Sequence, residues 1–422
     1  MGKGAAEKTP HVVVIGAGFG GLHAAKALAD APVRVTVIDR TNHHLFQPLL
    51  YQVASAGLSP AEIAHPIRSI LADQANTEVL LADATAIDLA GKRVVLKDGA
   101  IDYDWLVVAT GAETAYFGHD DWAKIAPGLK TLDDALDIRQ RVLMAFEKAE
   151  RETDPKEREK LLTFIVIGGG ATGMELAGAL AELRRHVLAR DFRSIDPKQA
   201  KVHLVEAGPR IMTAFEDDLS QASVEQLEEL GVEVHLATKV SAIDAGGVTF
   251  DGGARIDAAV VIWGAGVRAT PLLKTLGAKL DRIGRVEVEN DCSIPGHPEA
   301  FVIGDAMHML DKDGKALPGQ CPTAIQQGRF VAKIIARESA GKREERPRFV
   351  YLDRGQMATI GRSRAITQIG KMHMRGFVAW LGWLFVHLIL LIGFRNRLVI
   401  LITWFWSYVT YRRGARLITT RH

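Results

Sequence analysis

Two segments of the chain, about 150 residues apart, repeat one pattern of an apolar strand, a glycine turn and an alanine-rich helix. Each contains G-x-G-x-x-G between strand and helix, as Gly16, Gly18 and Gly21 in the first copy and Gly168, Gly170 and Gly173 in the second. The first glycine of such a turn makes the tight bend, the second lets a phosphate approach the backbone, and the third lets the helix pack on the strand. The repeat therefore predicts two α/β units, each holding a dinucleotide at a helix N-terminus.

A carboxylate ends the next predicted strand in both copies. Asp39 lies eighteen residues after Gly21, and Glu206 lies thirty-three residues after Gly173. The usual separation is about 20 residues, and the surplus in the second copy fits an extended helix and loop over residues 184–198. Each acid is predicted to hydrogen-bond an adenosine ribose, with a strand-end acid facing solvent as the alternative. Two adenine-dinucleotide sites on one chain suggest a flavin in one and a nicotinamide in the other.

The composition favours a packed protein of two to three domains and excludes a disordered chain. The 422 residues are 48% hydrophobic and 24% charged. The two cysteines, Cys292 and Cys321, cannot build a disulfide framework or a four-ligand zinc site, and no Cys-x-x-Cys pair supports dithiol chemistry. Cys321 is interpreted as a small apolar filler, and the spacing of His43, His44 and His387 predicts no metal site. These features favour a reducing cytoplasm.

Charge is distributed unevenly along the chain. Residues 361–422 carry ten Lys and Arg with no Asp or Glu, so the preceding 360 residues carry a net charge of −8. Four of the seven tryptophans, and the most apolar part of the chain, lie in this basic tail. A basic and apolar tail predicts contact with a lipid bilayer and argues against a nucleic-acid partner. Because residues 1–15 do not resemble a signal peptide, we expect this contact at the cytoplasmic face of the membrane.

Two apolar segments of the tail are candidates for that contact. Residues 377–394, as a helix, would reach about 27 Å, the lower limit for crossing a bilayer. Residues 398–411 are shorter and carry a polar stripe of Thr403, Ser407 and Thr410. Spanning would carry Arg395 and Arg397 across the lipid at a cost of several kcal/mol, so the sequence favours a monotopic, in-plane arrangement. A dimer interface or a core helix pair is the alternative, and a homodimer is left open.

Three further motifs resemble those of flavoproteins with two dinucleotide-binding folds. Residues 106–112 (LVVATGA) resemble the strand that returns under the flavin, residues 260–271 (VVIWGAGVRATP) the glycine loop that closes the nicotinamide domain, and residues 300–306 (AFVIGDA) the later Gly-Asp motif. The resemblance implies an α/β fold of two Rossmann-like domains followed by a helical membrane-anchoring region. Its domains would be FAD-binding over 10–115 and 280–340, NADH-binding over 116–279, and membrane-associating over 341–422.

Within that group, the chain resembles the type II, non-proton-pumping NADH:quinone oxidoreductases. The resemblance rests on residues 44–60 (HLFQPLLYQVASAGLSP), 361–366 (GRSRAI), 393–397 (GFRNR) and 404–418. It implies FAD contacts at Gly16, Gly18, Phe19, Gly20, Gly21, Asp39, Arg40, Ala109, Thr110, Gly111, Asp305 and Ala324. It implies NADH contacts at Gly168, Gly170, Ala171, Thr172, Gly173, Glu175, Glu206, Gly264, Ala265 and Gly266, and quinone contacts at Ile325, Gln326 and Gln327.

The predicted quinone segment departs from the family pattern at one position. The family carries Ala-Gln-x-x-x-Gln there, and this chain has Gln326 at the second glutamine but Pro322 at the first. The alternative interpretation of Gln326 and Gln327 is an exposed polar pair on the first turn of a helix that begins near Thr323. Glu175 matches an acid that the family places between the nicotinamide and flavin sites, and Glu175 and Gln326 are the candidate catalytic residues. For Glu175, a helix-dipole contact in the first turn is the alternative.

The implied activity is hydride transfer from NADH to FAD, followed by transfer of two electrons to a membrane quinone without proton pumping. A sulfide:quinone reductase or another FAD-dependent pyridine nucleotide oxidoreductase is the alternative enzyme. The first would need redox cysteines, and a soluble ferredoxin or rubredoxin reductase would lack the apolar tail. A membrane-bound scaffold that binds flavin and senses NADH with negligible turnover is the alternative of another class.

Overall fold

The structure is a computed structural model that describes residues 9–188, 191–342, 344–391, 394–410 and 415–418. Its helices are α1 Phe19–Ala27, α2 Leu50–Ala54, α3 Pro60–Ile63, α4 Ile67–Ile70, α5 Leu132–Arg151, α6 Pro155–Leu161, α7 Ala171–Glu182, α8 Asp217–Glu229, α9 Cys321–Ser339, α10 Gly376–Leu390 and α11 Phe394–Thr410. A π-helical turn, Leu183–Val187, continues α7.

Most of the described strands follow one another in runs that no α-helix interrupts. They are β1 His11–Ile15, β2 Arg34–Asp39, β3 His43–Leu45, β4 Ala64–Pro66, β5 Thr77–Leu81, β6 Ala84–Asp88, β7 Arg93–Leu96, β8 Gly99–Asp102, β9 Trp105–Val108, β10 Ala112–Thr114, β11 Thr163–Ile167, β12 Lys201–Val205, β13 Val232–His235, β14 Val240–Asp244, β15 Gly247–Phe250, β16 Arg255–Asp257, β17 Val260–Trp263, β18 Val267–Ala269, β19 Val286–Glu287, β20 Ser293–Ile294, β21 His297–Val302, β22 Met307–His308, β23 Gln356–Gly361, β24 Arg364–Ile369 and β25 Met372–Arg375.

The first compact unit comprises residues up to 45, 65–113 and 267–353. Its central sheet has the order β20-β21-β9-β1-β2-β5, and the five strands from β21 to β5 are parallel. Helix α9 packs against α1 at close range, since the carbonyl oxygen of Gly20 lies 2.3 Å from the position that a Cβ on Gly328 would take. Strands β6, β7 and β8 form a separate antiparallel sheet.

The second compact unit comprises residues 46–64, 114–266 and 354–422. Its parallel sheet has the order β13-β12-β11-β17. The antiparallel strands β14, β15 and β16 contribute Val248 and Phe250 to a core that includes Trp263. The sequence prediction of strand, glycine turn and helix is confirmed in both units, because β1 leads into α1 and β11 leads into α7.

An antiparallel sheet of β23, β24 and β25 precedes the terminal helices. It packs closely on α7, since a Cβ on Gly178 would lie 1.6 Å from the carbonyl oxygen of Ile360. Arg364 pairs with Glu229 and His373 with Asp218, which tie this sheet to α8. No sequence pattern predicted this sheet, which lies within residues 341–422, the region predicted to associate with a membrane.

Helices α10 and α11 differ in extent from the two predicted apolar segments. The first ends at Leu390 and the second begins at Phe394. None of the described helices is both long and apolar enough to cross a bilayer. Gly393 and Tyr411, and the tail arginines Arg412, Arg413 and Arg421, lie outside the described residues.

Candidate functional site

The first glycine turn has the geometry that its motif predicts. Gly16 has a φ of +94°, and a Cβ there would lie 2.5 Å from the carbonyl oxygen of Ala109. A Cβ on Gly21 would lie 1.8 Å from the carbonyl oxygen of Gly16. Around Gly18, by contrast, a Cβ would meet no atom within 4 Å. The outer glycines are therefore required for packing, while the middle one opens the backbone at the N-terminus of α1 to a ligand.

Asp39 is held at the end of β2 by the turn itself. Its Oδ2 accepts a hydrogen bond from Ala17 N–H at 2.7 Å, and its Oδ1 accepts bonds from the N–H and hydroxyl of Thr41 at 2.7 and 2.8 Å. The alternative of an acid that only faces solvent is therefore wrong for Asp39. Arg40 is exposed beside it, and Phe19 packs edge-on against His44, whose Nδ1 is 2.8 Å from the carbonyl oxygen of Ala17.

The remaining residues predicted to bind FAD all belong to the first unit. Ala324 at the start of α9 adjoins the predicted FAD contact Gly20 and the turn at Gly304: its carbonyl oxygen would be 3.5 Å from a Cβ on Gly20, and its Cβ 3.3 Å from one on Gly304. Asp305 directly follows Gly304 in a short 3-10 turn and is partly exposed. Gly111 has a φ of +66° with open space around it, and the Thr110 hydroxyl accepts a hydrogen bond from the Thr270 hydroxyl at 3.0 Å.

The two candidate quinone glutamines have different surroundings. Helix α9 begins at Cys321, two residues earlier than predicted. Gln327 is fully buried, and its Oε1 accepts a hydrogen bond from Gly304 N–H at 2.8 Å, so the interpretation as an exposed polar pair is wrong for this residue. Gln326 is partly exposed; its Nε2 donates to the carbonyl of Leu352 at 3.0 Å and its Oε1 accepts from Leu352 N–H at 2.9 Å. Ile325 is partly exposed on the same turn.

The second glycine turn repeats the geometry of the first. Gly168 has a φ of +110°, and a Cβ there would lie 2.7 Å from the backbone of the loop at Gly264 and Ala265. A Cβ on Gly173 would lie 1.9 Å from the carbonyl oxygen of Gly168, whereas Gly170 is exposed and a Cβ there would meet nothing within 4 Å. The exposed Ala171 and partly exposed Thr172 follow in the first turn of α7, and Gly266 is exposed with a φ of +76°.

Glu206 occupies the place that Asp39 has in the first unit. Its Oε2 accepts from Gly169 N–H and its Oε1 from Gly208 N–H, both at 2.7 Å. As for Asp39, an acid that only faces solvent is therefore excluded. Arg210, the nearby cation that could meet a nucleotide phosphate, donates instead to the Asp217 carboxylate and to the carbonyl of Phe215. In each unit, a carboxylate at the end of a strand thus accepts a hydrogen bond from a backbone N–H of the glycine turn, and we call this arrangement a carboxylate clasp.

Glu175 lies in the second turn of α7, because that helix begins at Ala171. The interpretation as a first-turn helix-dipole contact is therefore wrong. Some of its surface is accessible, yet protein atoms surround most of it, and burial raises the pKa of this carboxyl to about 8. Thr359 N–H lies 3.4 Å from Oε1 and lowers the pKa by a smaller amount. A carboxyl group whose pKa lies near neutral pH can both release and take up a proton under those conditions.

This pKa makes the stability of the protein depend on pH. Because the folded-state pKa lies above the ordinary value of 4.5, the unfolded chain ionises first, and the contribution of Glu175 to stability falls as pH rises from about 4.5 to about 8. Glu175→Gln is expected to flatten this fall. The measurement is the melting temperature of the unchanged protein and of Glu175→Gln at intervals from pH 5 to pH 9. The difference between the two melting temperatures at each pH isolates Glu175, because all other titrating groups are common to both proteins. Parallel curves would show that Glu175 does not carry the raised pKa.

The two units therefore present two open cradles for phosphates, at Gly18 and Gly170. Each cradle lies at a helix N-terminus, where free N–H groups and the helix dipole favour anions. Each is bordered by an acid that is already placed at the end of the neighbouring strand. The residues present fit an adenine dinucleotide in each unit, as the sequence predicts for FAD and NADH.

Comparison with known proteins gives the same result for fold and family. The model of the pyridine nucleotide-disulphide oxidoreductase family matches residues 10–328. The chain is 47% identical over 421 residues to the type II NADH:quinone oxidoreductase Ndh of Mycobacterium tuberculosis, covering 97% of this chain and 90% of that one. The structure of NDH2 from Plasmodium falciparum in complex with NADH matches with a TM-score of 0.88 at 19% identity, over 98% of this chain and all of that one. The sulfide:quinone oxidoreductase of Aquifex aeolicus matches less well, with a TM-score of 0.73 at 19% identity over 92% of each chain.

Proposed function

Since the chain belongs to the pyridine nucleotide-disulphide oxidoreductase family and, within it, to the type II NADH:quinone oxidoreductases, we propose that it oxidises NADH and reduces a quinone, with FAD as resident cofactor. The observation that carries the proposal is the pair of dinucleotide cradles, each closed by its own carboxylate clasp. A single cradle would bind one nucleotide only. Two on one chain supply a donor site and a cofactor site.

The residues of the first unit would hold FAD and tune it. The Gly18 turn would bind the pyrophosphate, Asp39 the adenosine ribose, and Asp305 the ribityl chain. FAD, when bound, would supply the redox chemistry by accepting a hydride and passing on its two electrons and its proton. The N-terminus of α9 presents free N–H groups and a positive dipole end, which would stabilise negative charge on a reduced ring. We propose residues 10–115 with 280–340 as the FAD-binding domain.

The residues of the second unit would bind and orient NADH. The Gly170 turn would take the pyrophosphate, and Glu206 would accept from the ribose hydroxyls while repelling a 2′-phosphate. Glu175, with its raised pKa, would hold or release a proton without leaving a fixed buried charge. Residues 116–279 are proposed as the NADH-binding domain, with Gly264, Ala265 and Gly266 closing it.

The cysteines do not favour sulfide chemistry. Cys292 is completely buried, and burial raises the pKa of its thiol far above the ordinary value, which disfavours the thiolate. Cys321 is partly exposed at the first position of α9.

A measurement of turnover distinguishes the enzyme from a scaffold that only senses NADH. Steady-state NADH oxidation that rises on addition of a soluble quinone supports the enzyme, and oxidation unchanged by quinone overturns it.

Gln326 is proposed to orient the quinone, with its amide group held by Leu352. An amide oxygen accepts two hydrogen bonds and an amide nitrogen donates two, so one of each remains for a ligand. Gln326→Ala is therefore expected to slow flavin reoxidation by quinone by about tenfold, the loss of one hydrogen bond, and to leave flavin reduction by NADH unchanged. Stopped-flow absorbance of the flavin band measures each half-reaction.

The matched control is Arg329→Ala, an exposed position on the same helix, which should leave both rates unchanged. Equal slowing of both half-reactions by Gln326→Ala would assign this residue to the packing of the segment around Leu352 alone. Unchanged rates in both would remove Gln326 from the quinone site.

We also propose that α10 and α11 attach the protein to a membrane in the plane of the bilayer. One side of each helix packs within the second unit: Trp383 and His387 are buried, Thr403 donates to Glu62 at 3.0 Å, and Trp404 donates to Gln52 at 2.9 Å. The other side exposes large apolar side chains, namely Phe377, Val378, Leu381, Phe385, Ile389 and Leu390 of α10 and Leu398, Val399, Leu401, Ile402, Phe405 and Trp406 of α11. Such a surface within the basic segment 361–422 fits the interface of an anionic leaflet.

Replacing two of these residues tests the attachment without removing the helices. Phe385 is 65% and Phe405 68% exposed, so Phe385→Glu/Phe405→Glu should fold normally and bind anionic liposomes at least about 100-fold more weakly, since the two side chains together give up roughly 3–6 kcal/mol of burial. Co-sedimentation with phosphatidylglycerol vesicles measures this. The control is Leu81→Glu/Val350→Glu, at positions 62% and 77% exposed in the first unit. Equal binding of the two double variants would place the lipid contact elsewhere.

A further inference from the structure

Two histidines and a glutamate converge on one face at the edge of the second unit's parallel sheet. His203 lies on β12, and Glu233 and His235 lie on β13, which is the edge strand. In the parallel register His203 is opposite Glu233, and His235 follows two residues later, so the three side chains project from the same face. These residues belong to none of the motifs considered in the sequence, since their spacing becomes meaningful only when the strands pair.

The donor atoms lie at distances that suit one small cation. His203 Nδ1 is 3.1 Å from His235 Nε2 and 3.4 Å from Glu233 Oε2, and the three donor atoms are all within 4.8 Å of one another. Zinc binds histidine nitrogen at about 2.0–2.1 Å and carboxylate oxygen at about 2.0–2.2 Å. Two ligands of a tetrahedral zinc ion are therefore separated by about 3.3–3.5 Å. The two separations from His203 Nδ1 differ from this range by at most a few tenths of an ångström, and the third, between the Glu233 and His235 donor atoms, is at most 4.8 Å.

The accessibility of the three residues also suits a metal. The His203 side chain is 6% exposed and lies on the buried side of the three-residue cluster. The Glu233 side chain is 57% exposed and leaves the cluster open to solvent. A hydrogen bond between His203 and His235 would by itself explain why the two imidazoles lie close together. It would not explain why a carboxylate oxygen of Glu233 also lies near His203 Nδ1, because that nitrogen has only one proton or one lone pair to share.

We propose that His203, Glu233 and His235 form a binding site for a divalent first-row transition metal, with zinc as the best match and solvent at the fourth position. Imidazole and carboxylate ligands suit zinc and exclude selective binding of magnesium or calcium, which prefer all-oxygen sites. The site is distinct from the proposed NADH cradle but lies close to it along the backbone, since Glu206 N–H donates to the carbonyl oxygen of His235 at 2.8 Å.

The test uses the full-length, FAD-loaded protein without an affinity tag. Isothermal titration with ZnCl2 in a non-chelating buffer is expected to show one site that EDTA reverses. Glu233→Gln and His235→Gln change exposed and partly exposed side chains, so both should keep their FAD. His235→Gln should weaken zinc binding by about 100-fold or more, and Glu233→Gln by a smaller factor. MgCl2 at the same concentration should give no heat.

The matched control is His373→Gln, which removes the imidazole of a histidine–carboxylate pair with Asp218 in the same unit. Its zinc affinity should equal that of the unchanged protein. X-ray absorption at the zinc edge should show two imidazole nitrogens with oxygen ligands for the remainder. Zinc binding that survives His235→Gln, or that is lost with His373→Gln, would overturn the assignment, as would a protein that binds no zinc.

Discussion

Gly173→Ala is expected to destabilise the second unit and abolish saturable NADH binding. The added methyl group would lie 1.9 Å from the carbonyl oxygen of Gly168, and neither backbone can move without opening the turn between β11 and α7. Overpacking of this kind typically costs about 1–3 kcal/mol, and a contact to backbone lies at the upper end. The melting temperature should fall by several degrees, and the rate of flavin reduction should become linear in NADH concentration.

Gly170→Ala is the matched control, because it adds the same methyl group three residues earlier in the same turn. Gly170 has a φ of −75°, and a Cβ there would meet no protein atom within 4 Å. The melting temperature should therefore remain unchanged. The methyl group would instead occupy the cradle, and the dissociation constant for NADH should rise by about tenfold, the equivalent of 1.4 kcal/mol. Unaltered NADH affinity in Gly170→Ala would show that the pyrophosphate binds elsewhere.

Asp305→Ala is expected to leave purified protein with less than about a tenth of the normal FAD. The Asp305 carboxylate is positioned by the turn at Gly304, whose N–H donates a hydrogen bond to the buried Gln327 side chain. A charged hydrogen bond from this carboxylate to a ribityl hydroxyl would contribute about 1.5–3 kcal/mol. The ratio of flavin to protein absorbance measures occupancy, and released flavin is identified after acid precipitation as non-covalent FAD.

Two further variants define the role of this carboxylate. Asp305→Asn keeps an oxygen acceptor without the charge, so it should retain more FAD than Asp305→Ala. Asp313→Ala, at an exposed position shortly after this turn, should retain all of it. Normal occupancy in Asp305→Ala would remove this residue from the cofactor site, while apo-protein in both Asp305→Ala and Asp313→Ala would indicate a general folding defect.

Those parts of the fold that depend on short-range sequence patterns were predictable. The strand, turn and helix around each glycine motif are encoded within about 20 residues, because the third glycine of each motif packs on the carbonyl oxygen of the first. The positions of Asp39 and Glu206 followed from the same local pattern, even though the spacing after Gly173 is unusually long. The π-helical turn after α7 accounts for part of that extra length.

Contacts between distant segments were not predictable in the same way. The packing of β23 on α7 joins Gly178 to Ile360, and the raised pKa of Glu175 arises from burial, with the nearby Thr359 N–H opposing it. Neither segment carries a motif that points to the other. Gln327 was interpreted together with Gln326, but one residue of helical rotation turns its side chain into the core. Only the pairing of α9 with the Gly304 turn decides which glutamine is buried.

The carboxylate clasps impose a constraint on how nucleotide preference can change in this chain. Glu206, the proposed acceptor for the ribose hydroxyls, also fastens the glycine turn through Gly169 N–H and Gly208 N–H. An exchange to a small neutral residue would remove the negative charge, but it would also leave two backbone donors without their acceptor. Selection for NADPH would therefore favour new cations at Ala207 or Pro209, or release of Arg210 from Asp217, while the acid itself stays in place. Specificity and loop rigidity share one side chain, so they cannot evolve independently at that position.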